Sequence, residues 1–339
     1  MSRMNFASSM AAAAVISGAA LVLAGTLPAP CTATPPGDRE ELLILSTGSN
    51  HGEVDHCGCK SSEKGGLTRR TAYIDSMRSR GPVLVVDAGD YSHPAATSAT
   101  QENWFILRAM DRMRYDAMTL GEIELARGAD YVRAILDSTR VPVTLANVTF
   151  AGDGKPVGEK FILKKVGGVT CGLIGLVGPD FGDGAAKLAD LGFAVEDPVA
   201  AAKRLVPEAK AKADVVIVLA HLAAADAVKL PESVPGIGAV ILGHYPGTDA
   251  PKEVAGAVVV RPGQRGQYVG ETRIIFAGDK KVASFTGRAV AMDTKVIRED
   301  PQMLADLRAL MRSLGKELRD DAKMAAATAV PGERPELTQ

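Results

Sequence analysis

The stretch Val83-Leu-Val-Val86 runs without a break into Asp87-Ala-Gly-Asp90. Four apolar, mostly β-branched residues in succession predict a strand buried on both faces, as in a sheet covered by helices. Its carboxyl end then delivers two carboxylates to the edge of an open α/β sheet, where ligands collect. One Asp after a strand is weak evidence, because Asp is a common turn residue. Here the pattern recurs. Ser46-Thr-Gly-Ser-Asn-His51-Gly, Thr119-Leu-Gly-Glu-Ile-Glu124, Leu219-Ala-His221 and Leu242-Gly-His244-Tyr-Pro246 each set a His or carboxylate beside a small residue just after an apolar run.

Further apolar runs predict strands at Leu42–Ser46, Asp116–Leu120, Val141–Val148, Phe161–Val166, Thr170–Val177, Asp214–Ala220 and Ala239–Leu242. Helices are predicted from about Leu67 to Met77, through Trp104–Met113, around Ala129–Leu136 and from Asp197-Pro198 to about Lys212. From Ala257 the pattern is β alone, until Asp300-Pro301 repeats the helix-start signal. Leu304, Leu307, Met311, Leu314 and Leu318 then form an apolar stripe at helical spacing. Alternating strands and helices followed by a β-only stretch predict a layered α/β domain with mixed sheets. No Gly-x-Gly-x-x-Gly follows the first strand, which disfavours a dinucleotide-binding domain.

With 39 basic and 40 acidic residues, the chain lacks the cationic surface of a nucleic-acid binder that works by counterion release. Arg3 is the only charge before Asp38, and Met10–Ala24 is apolar and Ala-rich. That core is shorter than the roughly 20 residues of a membrane span and suits a secretory signal. Residues 1–37 are therefore expected to be signal and linker, 38–296 the main domain, 297–326 an amphipathic helix and 327–339 a disordered tail. Cys31 invites a lipid anchor, although two prolines precede it where small residues are wanted. Cys171 lies in an apolar run and reads as a core thiol.

His51, His221 and His244 are three of the five histidines, and all stand at strand ends. Imidazoles grouped with carboxylates suit Zn, Mn or Fe, so these turns are expected to converge on a metal site.

The order and wording of these turns resemble the calcineurin-like metallophosphoesterases, in the bacterial periplasmic 5′-nucleotidase / UDP-sugar hydrolase branch. Gly65-Gly-Leu-Thr-Arg-Arg70, Val86-Asp-Ala-Gly-Asp90, Tyr115-Asp-Ala-Met-Thr-Leu-Gly121, Val141-Pro-Val-Thr-Leu-Ala-Asn147 and Asp214-Val-Val-Ile-Val-Leu-Ala-His221 carry the likeness, which extends over roughly Leu42 to Ala322. It implies a sandwich of two mixed β-sheets flanked by helices, with two metal ions sharing Asp90. Departures alter that expectation. Ser49 stands where the family has a metal-binding Asp, Glu122 where it has a ligand Asn, Ile123 where it has the His that assists the leaving group, and Pro246 where it has another ligand. One metal position keeps Asp90, His221 and His244 with Glu122; the other keeps only His51 and Asp90. One divalent ion is thus expected rather than two, and the family's C-terminal substrate domain is not expected in this chain.

A single divalent ion against Asp90 and Glu122 leaves a pocket of roughly zero net charge, without a two-metal clamp on the attacking and leaving oxygens. The expected function is metal-dependent hydrolysis of a small phosphoester or related anion at a remodelled site, with reduced or altered activity. Asp90 and His51 are the catalytic candidates. Arg69 and Arg70 are expected at a helix start facing solvent. The loop His56-Cys57-Gly-Cys59 resembles a motif in an UshA-like group that includes selenoproteins. His56, Cys57 and Cys59 are therefore candidates for a soft-metal or redox site, or for a disulfide that pins the loop. A thiol/redox protein and a non-catalytic binding module on the same fold stay open beside the hydrolase. The expected partner is a small anionic substrate, with no nucleic acid. The expected location is periplasmic, and the membrane is touched only through a signal or lipid anchor. The sequence does not set the oligomeric state.

Overall fold

The structure, a computed structural model, describes residues 40–56, 63–94, 100–179, 185–244, 247–278, 280–316 and 318. The expected leader with Cys31, the Cys57 and Cys59 pair, Pro246 and the expected tail lie outside those residues. The described chain opens with β1 (Glu40–Thr47), α1 (Leu67–Arg78), β2 (Leu84–Asp87), α2 (Thr100–Arg112) and β3 (Ala117–Met118). A one-turn helix α3 (Glu122–Leu125) and α4 (Ala129–Ser138) lead to β4 (Thr144–Phe150), β5 (Pro156–Gly158), β6 (Ile162–Val166) and β7 (Val169–Val177). Next come α5 (Ala185–Asp190), β8 (Phe193–Val195), α6 (Pro198–Lys210), β9 (Val215–His221), α7 (Ala224–Ser233) and β10 (Ala239–Leu242). The remainder is β11 (Lys252–Val254), β12 (Ala257–Val260), β13 (Tyr268–Phe276), β14 (Val282–Ala291) and α8 (Pro301–Ser313).

One sheet has the order β14-β13-β1-β2-β3 and the other β11-β12-β10-β9-β7-β6, with a small third sheet β5-β4-β8. In the first sheet β1, β2 and β3 run parallel, with β13 antiparallel to β1 and β14 antiparallel to β13 on one side; in the second β12, β10, β9 and β7 are parallel and the edge strands β11 and β6 antiparallel. This is the α/β sandwich of two mixed sheets that the sequence predicts. The period of two along each strand decides which layer a side chain enters. Leu42 and Ile44 of β1 face Leu173, Ile217, Leu219 and Ile241 in the core between the sheets. Leu43 and Leu45 face outward to the core covered by α1, α2 and α8. On the other sheet Val216, Val218 and Ala220 pack outward against α6 and α7. His221 continues the inward parity of Val215, Ile217 and Leu219, so it enters the seam between the sheets at its carboxyl edge.

The predicted helix starts have physical caps. The Asp197 carboxylate accepts from Ala200 N at 2.8 Å and that of Asp300 from Met303 N at 2.7 Å, each ahead of a proline in the first turn. The last helix is turned slightly from its predicted stripe: Met303 and Leu310 are buried with Leu307 and Met311, while Leu304 and Leu314 are only partly so.

Arg69 and Arg70 depart from expectation: both are buried, not solvent-facing. Arg69 pairs with Glu299 at 3.3 Å. Arg70 Nη2 donates to Asn50 Oδ1 at 2.5 Å, beneath the loop that carries His51. The prediction failed because Asn50 and Val54 of the preceding loop and Glu299 ahead of α8 meet the amino end of α1. Among the described residues no helix is long and apolar enough to cross a membrane.

Candidate metal centre

Each strand that ends at the carboxyl edge of the seam hands over a tight turn, and several of these turns are held in unusual backbone conformations. Ser49, His51, Asp90 and His244 all have left-handed φ values, between 48° and 59°. Non-glycine residues adopt that region at a cost, and such residues cluster at functional sites. The loop after β1 is laced to the loop after β2 by backbone bonds: Ser49 N to Gly89 O (2.8 Å), His51 N to Asp90 O (3.0 Å) and Gly52 N to Tyr91 O (2.9 Å). At Gly243 the packing excludes any side chain, since a Cβ would overlap the Ala88 carbonyl oxygen and stand 2.5 Å from His221 Nδ1.

Inside this frame Asp90, Glu122, His221 and His244 each present one ligand atom, all within 4.8 Å of one another. They come from four separate loops or strand ends, more than 30 residues apart between Asp90 and Glu122 and nearly 100 between Glu122 and His221. His221 is buried; its Nδ1 donates to the Ala88 carbonyl at 2.7 Å, which turns Nε2 into the cluster. There Nε2 lies 2.5 Å from Glu122 Oε2 and 3.3 Å from Asp90 Oδ2. His244 Nδ1 meets the other Glu122 oxygen at 2.6 Å. Asp90 Oδ1 accepts from Ile123 N at 3.0 Å, while Oδ2 is buried with no hydrogen-bond partner among the described residues.

The electrostatics follow from this packing. Burial opposes charge on His221, but Asp90 and Glu122 outweigh it and hold the imidazolium pKa well above its ordinary value. The Glu122 hydrogen bond raises His244 in the same way. Burial likewise works against ionisation of Glu122, yet the bonds from His221 and His244 hold its carboxyl below the usual range. Two imidazole nitrogens, two carboxylates and an orphaned Asp90 oxygen are a donor set suited to a divalent transition metal. The Ala88 carbonyl that orients His221 is the usual support of a metal-binding imidazole.

Of the residues singled out from sequence, the structure gathers Asp90, Glu122, His221 and His244 and sets His51 at their rim. His51 Nε2 is 3.9 Å from Asp90 Oδ2, and burial lowers its pKa more than Asp90 and Glu122 raise it. His56 is buried outside the four-residue group, with Nδ1 2.9 Å from Asp55. One residue was missed. Glu124 is fully buried, and its carboxylate accepts from three backbone N–H groups in the turns of Asp90 and Gly121. Burial and the charge of Asp90 push its pKa up to about 7. The readable signal was its place three residues after Gly121, where a side chain can reach back to a helix start.

Two mixed sheets with this cluster at the strand ends define an α/β sandwich with a candidate metal centre at its carboxyl edge. No family model matches the chain. The trifunctional nucleotide phosphoesterase protein YfkN of Bacillus subtilis (strain 168) is 30% identical over 293 residues, covering 70% of this chain and 20% of that protein. Human 5′-nucleotidase is 26% identical over 309 residues, covering 80% of this chain and 53% of the relative. The crystal structure of the calcineurin-like phosphoesterase YfkN from B. subtilis superposes with a TM-score of 0.69 at 24% identity, over 81% of this chain and 98% of that one. The chain is thus homologous to nucleotide phosphoesterases and 5′-nucleotidases, and it shares the calcineurin-like phosphoesterase fold. It spans about a fifth of the first relative and about half of the second.

Proposed function

We propose that the chain is an exported, metal-dependent hydrolase acting on a small phosphoester or related anion, with one divalent ion held by Asp90, Glu122, His221 and His244. The observation that carries the reading is the convergence of these four ligand atoms within 4.8 Å around the unpartnered Asp90 oxygen. A bound Zn, Mn or Fe ion would supply Lewis acidity toward substrate oxygens and make water a stronger acid. Asp90 and Glu122 would hold it by charge, and the Ala88 carbonyl keeps His221 Nε2 directed at it. His51, at the rim and with a lowered pKa, would serve as a neutral hydrogen-bonding group that orients the substrate. The nucleotide-directed names of the relatives support a phosphoester substrate. Ser49 and Ile123, in place of the family's Asp and His, support reduced or altered turnover. Export rests on the apolar, nearly uncharged order of residues 1–37.

Metal analysis of the full chain after reconstitution with Zn²⁺, Mn²⁺ or Fe²⁺ should find about one ion per chain, lost in His221→Ala. Unchanged metal content in that variant would end the reading. A screen of phosphomonoesters, phosphodiesters and thiosulfate-type anions on the loaded protein then identifies the substrate class.

A further inference from the structure

Glu124 is a fully buried acid that the metal cluster does not use. Its side chain is fully enclosed, and no Lys or Arg pairs with it among the described residues. Oε2 accepts from Asp90 N at 2.9 Å and from Gly121 N at 3.0 Å; Oε1 accepts from Ser92 N at 2.8 Å. A buried carboxylate without a counter-ion is tolerated only where fixed dipoles satisfy it, and here all three donors are backbone. The choice of donors is informative. Asp90 is itself one site acid and Ser92 lies two residues beyond it in the same turn, while Gly121 immediately precedes the other, Glu122. Asp90 answers in the opposite direction, its Oδ1 accepting from Ile123 N at 3.0 Å. The two turns are thereby joined by bonds running both ways. Asp90 also keeps a left-handed backbone, φ 59°, a state that lasts only when its surroundings over-determine it.

We propose that Glu124 is a positioning residue that fixes the separation and aim of Asp90 and Glu122, and so sets the affinity and geometry of the metal they hold. The proposal rests on the metal reading above, but its test separates the two. A Gln at 124 keeps the shape and replaces one acceptor oxygen by an NH₂ group, which cannot accept a backbone N–H in either orientation. Zn²⁺ titration of Glu124→Gln should show about 10- to 100-fold weaker binding than the parent chain, and the Co²⁺-loaded variant should have a changed d–d absorption spectrum. Glu271→Gln, which removes a buried acid on β13 that bonds Tyr73 and Arg288 and none of the four cluster residues, controls for general destabilisation and should leave both readouts as in the parent. Equal Zn²⁺ affinity and an identical Co²⁺ spectrum in Glu124→Gln, with only a lower melting temperature, would overturn the proposal.

If Glu124→Gln does not fold, amide hydrogen exchange of the parent chain decides. The Asp90, Ser92 and Gly121 amides should be protected to the same degree as those of the β2 core. Exchange as fast as exposed loop amides would refute the clamp. Absence of metal uptake by the parent would defeat the functional reading alone, and the exchange measurement would still judge Glu124.

Discussion

His221 works in two directions at once. Its strand position sends it into the seam, and the Ala88 carbonyl accepts a hydrogen bond from its Nδ1–H, leaving Nε2 for the cluster. That bond depends on close backbone approach, so the smallest residue nearby is as important as the ligands. Gly243 lies against Ala88 O and the His221 ring, with no room for a methyl group. Gly243→Ala should therefore cost about 1–3 kcal/mol by overpacking. Metal uptake should fall with it, because the displaced atoms are the support of His221. Urea denaturation and metal analysis of that one variant check both effects; full metal content would mean that the turn relaxes without moving the imidazole.

Among the elements, α6 and α8 show how much a short local signal can specify. Asp197 caps α6 by accepting from Ala200 N, with Pro198 behind it supplying a preset φ and no surplus N–H. The Asp197→Ala change should lower stability by about 1 kcal/mol, seen as a lower urea midpoint with an unchanged slope. A larger loss would mean that the cap also holds β8 or the turn ahead of it. By contrast α1 has no side-chain cap; it is held by tertiary bonds such as Arg70 to Asn50 and Thr68 to Glu299.

Across the whole molecule, the outer strands of the first sheet are joined to α1 through Glu271. Its carboxylate accepts from the Tyr73 hydroxyl at 2.9 Å and from Arg288 at 3.0 Å. Burial works to raise the Glu271 pKa, but Tyr73 and Arg288 outweigh it and the folded value lies below the ordinary one. An acid with a depressed folded pKa stabilises fully above its unfolded pKa, about 4.3. That contribution drains away as pH falls toward the folded pKa, because the unfolded chain then binds the extra proton. Glu271→Gln should therefore be less stable than the parent at neutral pH, with the difference shrinking as pH drops below about 4.3. Denaturation midpoints across that range check it; a constant difference would assign the effect to packing instead of charge.

Strand parity, turn chemistry and helix caps are local properties, which is why the layered α/β architecture and most strand positions could be read directly from the residues. The apolar runs ending in Asp90, His221 and His244 made their turns legible as one functional edge, whereas the departures at Ser49, Glu122 and Ile123 were visible only against the motifs of the family the chain resembles. Distances between turns were not. That Glu122 lies between two imidazoles while His51 stays at the rim depends on how two sheets pack, a sum of contacts far apart in sequence. Burial of Arg70 is of the same kind: an arginine at a helix start faces solvent unless another loop covers it, and only the folded chain brings Asn50 there. Glu124 marks the boundary between the two. Its spacing from Gly121 is local, but its bonds to Asp90 and Ser92 exist only once the turns after β2 and β3 are side by side.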